Sequence, residues 1–178
     1  MRVILIITSI CLQLSQAYTE KRIEIEPVLV NFTISNAGFN VHGTMNGLEG
    51  YILLDNQTSV LTHIEGSIDP NSINTGIGLR DKHLKKADYF NTEKFPKIFM
   101  TSTQIRKTGN NKYVGDFDLT LKDIKKTVTV PFTFSETYNV YLLKGEFLIN
   151  RLDFKLGKES IILSNIVKIN IEFKTVTK

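Results

Sequence analysis

Beyond Tyr18 the apolar residues of this chain recur with a period of two. One face of the stretch Val28–Ile34 carries Val28, Val30, Phe32 and Ile34. Phe39, Val41 and Met45 repeat the pattern with Gly43 in step, and Tyr51 to Asp55 is a short apolar run. Val60, Thr62, Ile64 and Ile68 alternate again, and Ile98 and Met100 open a further run. Phe117, Leu119 and Leu121 alternate with Asp116, Asp118 and Thr120; Val128, Val130, Phe132 and Phe134 alternate with Thr129, Pro131 and Thr133. Phe147 and Ile149 continue the set, and Val167, Ile169, Ile171 and Phe173 alternate with Lys168, Asn170, Glu172 and Lys174. Successive side chains of a strand point to opposite faces, so each run predicts a strand with one wet and one dry face.

Turn signals separate the runs: Asn36-Ala37-Gly38, Asn46-Gly47, Asp55-Asn56, Thr108-Gly109-Asn110-Asn111 and Gly157. Such short connections favour antiparallel hairpins. About eight half-exposed strands must then hide one common apolar face, which a barrel or a sandwich achieves; a barrel also removes the edges. Pro131 falls on the expected outer face, a place for an edge or a bulge. No linker or fixed-period repeat divides the chain, which predicts a single all-β domain.

One stretch breaks the pattern. From Leu79 to Phe90 the apolar positions are Leu79, Leu84, Ala87, Tyr89 and Phe90, with Lys82, Lys85 and Lys86 between them. That spacing predicts a short α-helix near residues 78–90. Phe95-Pro96 then returns the chain to an extended path.

The first residues have a different character. Arg2 precedes an apolar run, Val3 to Leu14, and Ser15-Gln16-Ala17 places small residues at a cleavage site. This predicts a secretory signal peptide, residues 1–17, cleaved after Ala17, with a mature domain over 18–178. A periplasmic or secreted location follows. Cys11, the only cysteine, leaves with the leader, so disulfides and thiolate chemistry are excluded from the mature chain. Ile10 before Cys11 is bulkier than a lipidation site accepts.

The formal charge is +4, with the lysines scattered and no dense basic stripe, which argues against nucleic-acid binding. No run after the leader is long enough for a membrane helix.

Candidate chemistry is sparse. His42 and His63 fall on polar strand faces, and no His-x-His or His-Glu-x-x-His spacing exists, so no metal site is expected. Arg80-Asp81-x-His83 could be catalytic, but Asp81 and His83, two apart on a helix, would not face each other. An architectural role fits better: Asp81 near the helix start, and Arg80 tying the helix to a strand end. No catalytic motif appears, and no enzyme is expected.

The run "SINTGIGLRDKHLKKADYFNTEKFPKIFMTST" resembles the YceI-like, polyisoprenoid-binding proteins of bacteria. The matching positions are Ser72, Ile73, Thr75, Gly76, Arg80, Asp81, His83, Leu84, Phe90, Pro96, Ile98, Ser102 and Thr103. "VGDFDLTLKDIKKTVTVPFTF" and "FLINRLDFKLGKES…LSNIVKINIEF" resemble two further blocks, so the likeness spans about Ile23 to Phe173. Asn74 and Asp123 stand where the family commonly has an acidic residue and a glycine. The resemblance implies a lipocalin-like antiparallel barrel with a helix beside it, holding a polyisoprenoid or prenyl-quinone as ligand and needing no other cofactor.

Such a site would show in sequence only as an apolar inner face. The expected lining is Phe32, Ile34, Val41, Ile64, Met100, Phe117 and Leu119, followed by Val130, Phe132, Phe134, Phe147, Ile149 and Ile169. Thr75, Gly76, Arg80, Asp81, His83, Leu84 and Pro96 are expected to be structural. A solid, filled barrel would present the same inner face, and a homodimer is compatible with a barrel having one open mouth.

Overall fold

The computed structural model describes residues 19–176. Eight strands follow one another: β1 (Glu20–Asn36), β2 (Phe39–Asp55), β3 (Leu61–Ile68), β4 (Ile98–Gly109), β5 (Lys112–Leu121), β6 (Ile124–Thr137), β7 (Val140–Asn150) and β8 (Leu163–Val176). Each pairs antiparallel with its sequence neighbour, and β8 returns to β1, closing the barrel. One helix, α1 (Gly78–Leu84), lies between β3 and β4. It is shorter than the predicted span; residues 85–90 continue as turns closed by bonds such as Phe90 N–H to the Leu84 carbonyl, 3.0 Å. Among the described residues no helix is long and apolar enough to cross a membrane. The predicted leader, with Cys11, lies outside the described residues.

Turn chemistry explains most connections. Ala37 (φ 50°) and Gly38 (φ 84°) join β1 to β2, and Tyr138 (φ 50°) and Asn139 (φ 62°) join β6 to β7. Two consecutive positive φ values match the turn that follows the natural strand twist. Between β5 and β6 only Lys122 (φ 59°) takes a positive φ, so Asp123 fills its place without needing glycine's freedom.

Asn46-Gly47, read as a turn, is instead a bulge inside β2. The register steps from Val28↔Leu48 to Val30↔Met45, which inserts one extra β2 residue. A bulge needs the same positive φ as a hairpin turn, here 78° at Gly47. A second irregularity, between Leu53 and Leu54, moves Leu61 into the core at 2% exposure, while Val60 and Thr62 stay partly exposed. Phe39, expected inside, starts β2 at the barrel rim and is 77% exposed.

The two ends of the barrel differ. One end is plugged by aromatic rings: Tyr113 stacks on Phe132 at 5.5 Å between centroids, Phe134 stacks on Tyr141 at 6.2 Å, and Tyr113 meets Phe134 edge-on at 6.1 Å. Ile23, Ile52, Leu54 and Leu61 complete this plug, all essentially buried. At the other end strands diverge around open space. Gly43 sits opposite Phe32 in the β1–β2 pair, where a Cβ would lie 2.2 Å from the ring; only glycine lets that ring lie flat on the wall.

Phe134→Ala is expected to destabilise by about 3–5 kcal/mol, as for an aromatic deleted from a packed core. Ile34→Ala, at the open end, should cost less than half of that. Urea unfolding of the two variants checks the contrast; equal losses would mean both ends are packed alike.

Candidate functional site

The open end encloses a cavity of about 360 Å³. That lies within the usual range of small-molecule pockets, roughly 300–1,000 Å³. Its walls are almost wholly apolar and come from β1, β2, β3, β4, β5, β7 and β8, closed at the side by Leu84, Tyr89 and Phe90. A smaller space of about 60 Å³ lies next to it, sharing Leu48, Gly66, Met100, Phe147 and Ile171 as walls and reaching Phe132 of the plug. The shape is therefore a chamber that narrows toward the filled end.

The expected lining divides accordingly. Phe32, Ile34, Val41, Met100, Leu119, Phe147, Ile149 and Ile169 border the larger cavity. Ile64, Phe117, Val130 and Phe132 border the smaller one. Phe134 borders neither, being stacked in the plug. Further walls come from residues that the alternation did not single out. Leu48 flanks the β2 bulge, and Leu84, Tyr89, Phe90 and Leu156 belong to segments with no two-residue period. Only the fold brings those segments over the barrel.

The segment from Thr75 to Phe90 is pinned by one compact knot. Asp81 Oδ1 accepts the Thr75 backbone N–H at 2.9 Å and the Thr75 hydroxyl at 2.5 Å. Arg80 Nε donates to Thr75 Oγ1, and Arg80 Nη2 to the Thr75 carbonyl, both at 2.7 Å. Thr75 thus gives two hydrogen bonds to the carboxylate and receives two from the guanidinium. Arg80, expected to tie the helix to a strand end, ties it instead to Thr75, in the loop just before the helix. Asp81 likewise bonds backward to Thr75, six residues earlier, rather than to a free amide of the helix start. Gly76, at φ 79°, makes the reversal, and its N–H donates to Asn74 Oδ1 at 2.8 Å. An amide oxygen supplies this turn's acceptor, so no carboxylate is needed at position 74.

His83 joins neither group; its ring meets Tyr89 edge-on at 5.0 Å. Tyr89 lies against Gly157, where a Cβ would approach its ring to 2.8 Å. The Gly157 N–H also donates to the Asp88 carbonyl at 2.8 Å. These contacts join the segment to the loop before β8. Leu84 packs on the cluster of Val30, Met45, Ile68 and Ile73, and Pro96 is an exposed residue leading into β4.

Sequence reasoning missed Arg151. It is 2% exposed and borders the cavity. Its acceptors are neutral oxygens: the Ser164 carbonyl at 2.9 Å, the Leu156 carbonyl at 2.9 Å, the Leu163 carbonyl at 3.5 Å and Asn165 Oδ1 at 2.9 Å. A planar fork of five donors can gather one loop from several sides in this way. Nothing short of the folded loop marks this arginine, because its acceptors are mostly backbone.

Ser102, itself buried, bridges a gap in the β3–β4 ladder. Its hydroxyl accepts from the Ile64 N–H at 2.9 Å and lies 3.1 Å from His63 Nδ1. His42 faces outward beside Thr33, 3.1 Å away. Both histidines thus sit on the outer face, away from the cavity.

A closed up-and-down barrel of eight strands, plugged at one end and hollow at the other, is the lipocalin-like class of architecture. Within that class the chain belongs to the YceI-like family, whose domain model matches residues 22–175. It is 38% identical over 100 residues to UPF0312 protein plu2095 of Photorhabdus laumondii, covering 56% of this chain and 52% of that protein. Protein YceI of Escherichia coli O17:K52:H18 is 34% identical over 102 residues, covering 57% of this chain and 53% of that one. The matched region thus spans about half the length of these curated relatives. Among solved structures, Burkholderia cenocepacia BcnA superposes with a TM-score of 0.77 at 22% identity, covering 83% of this chain and 96% of that one. A polyisoprenoid binding domain from Saccharophagus degradans, described as implicated in plant cell wall breakdown, gives 0.66 at 15% identity, covering 90% and 100%.

Asp81→Asn keeps the shape of the knot and removes its charge. Hydrogen bonds to charged groups contribute about 1.5–3 kcal/mol. The Thr75 amide is therefore expected to exchange its hydrogen at least about tenfold faster in this variant, by local opening of the segment. Amides of the plug should be unchanged; native-state hydrogen exchange reads both.

Proposed function

We propose that this protein holds a long isoprenoid, or an amphiphile of similar shape, with its tail in the barrel and its head at the open end. The observation that carries the reading is the apolar cavity at one end of the barrel, whose few polar neighbours are Asn36, Ser67, Thr75, Arg80, His83 and Arg151. An oily chain gains about 0.8 kcal/mol for each methylene-sized group it buries, so a tail alone supplies substantial affinity. Polar contacts then need only fix the head. Family membership and the barrel shared with a polyisoprenoid binding domain support the same reading.

In this account the protein is a carrier, store or scavenger that works outside the cytoplasm, delivered there by the leader of residues 1–17. It transfers no chemical group. Arg80 and Asp81 are taken up by Thr75, and His83 turns to Tyr89, so the three do not converge on one reacting atom. The ligand-binding residues are those that border the two cavities. A filled structural barrel is a weaker reading, because only the plugged end has that packing.

Solvent extraction of the purified protein followed by mass spectrometry is expected to release a lipid of several hundred daltons. Ile169→Trp, which pushes a ring into the larger cavity, should abolish its co-purification while circular dichroism stays that of a β-barrel. Repeated absence of any lipid, together with no uptake of added prenyl-quinone, would sink the carrier reading.

A further inference from the structure

Three segments border the open end: the β1–β2 turn, the stretch from Asn74 to Phe90, and the loop from Gly157 to Leu163. They are tied to one another or to the barrel by backbone bonds. The Ala37 N–H donates to the Ile162 carbonyl at 2.7 Å, the Gly157 N–H to the Asp88 carbonyl at 2.8 Å, and Thr44 bridges Asn74. Each carries, or leads directly into, large apolar side chains that are exposed. Phe39, Leu79 and Ile161 are 77%, 81% and 104% exposed, and Ile77 and Ile162 are exposed as well. Clustered exposed apolar side chains mark interaction sites, whereas scattered ones need no explanation.

Charge on the same segments identifies the partner. Lys82, Lys85, Lys86 and Lys158 form no ion pair among the described residues; strand lysines such as Lys107, Lys112, Lys126 and Lys174 are unmatched too, but only the rim groups three such lysines within five residues, beside exposed apolar side chains. The acidic residues exposed on the rim are Asp88 and Glu159. Apolar side chains ringed by unmatched lysines fit the interface of an anionic bilayer, where rings and branched chains enter the headgroup layer and ammonium groups meet phosphates.

We propose that the open end of the barrel docks on the surface of an anionic phospholipid bilayer. The inference rests on the carrier reading for its purpose: mouth-down docking lets a lipid tail pass between bilayer and cavity without crossing water. The docking surface is the exposed rim, which does not depend on the cavity being loaded, so docking is testable without ligand.

Co-sedimentation with vesicles of phosphatidylglycerol mixed with phosphatidylcholine tests it, with pure phosphatidylcholine beside them. The protein is expected to pellet with the anionic vesicles, less so in high salt. The combined variant Phe39→Ser/Leu79→Ser/Ile161→Ser, all at exposed sites, should bind at least about tenfold more weakly, as should Lys82→Glu/Lys86→Glu/Lys158→Glu. Tyr138→Ser, at the plugged end, should bind like the parent. No binding to anionic vesicles, undiminished binding by both rim variants, or an equal loss in Tyr138→Ser would overturn the proposal. Uptake of a dissolved short-tailed prenyl-quinone, measured without vesicles, separates the two readings. Parent and rim variants should take it up equally; failure of the parent would strike the cavity reading and leave the vesicle result standing.

Discussion

β1 must satisfy two neighbours at once, and closure of the barrel depends on how it does so. Its full length pairs with β2, but only Val30 to Asn36 meets β8 through the ladder. Nearer the plug, the buried Thr175 hydroxyl donates to the Glu24 carbonyl at 2.8 Å in place of backbone pairing. Closure gives every strand two partners over at least part of its length. It also forces all inward side chains into one interior, whose filling then depends on which residues arrive at which height.

Height divides the interior into two regimes. At the plugged end, rings from β5, β6 and β7 stack on one another and on the aliphatic side chains of β1, β2 and β3. At the open end the inward residues are mostly aliphatic, and the space between them is bridged by a segment from outside the sheet. That segment holds its place through the Thr75–Arg80–Asp81 knot and through Tyr89 against Gly157. The most unusual stretch of the sequence is thus a wall of the chamber rather than its chemistry. Its polar groups are spent on holding a loop, and its apolar groups, Leu84 and Phe90, are spent on the lining.

Much of this was legible in advance, for a simple reason. A strand with one buried face writes its orientation into every second residue, so the inward set from Phe32 to Ile169 could be read directly. Two of the misplacements involve a shift of that period. The bulge at Asn46-Gly47 imitates a hairpin turn because both need a positive φ. The irregularity near Leu54 exchanges Leu61 for Val60 and Thr62. Phe39 keeps the inward parity but sits one step above the rim, where inward no longer means buried.

The sequence by itself determined the strand order, the antiparallel pairing and the sidedness of nearly every strand, because these follow from local alternation and short turns. It also carried the family's motif block. Only the tertiary structure decided that Phe134 joins a solid plug while Ile34 faces open space. Both are apolar, inward residues, and they differ only in what distant strands set opposite them. The same holds for Arg151, whose role depends on carbonyls gathered by the fold. Hollowness is a relation between residues far apart in the chain, and no local pattern records it.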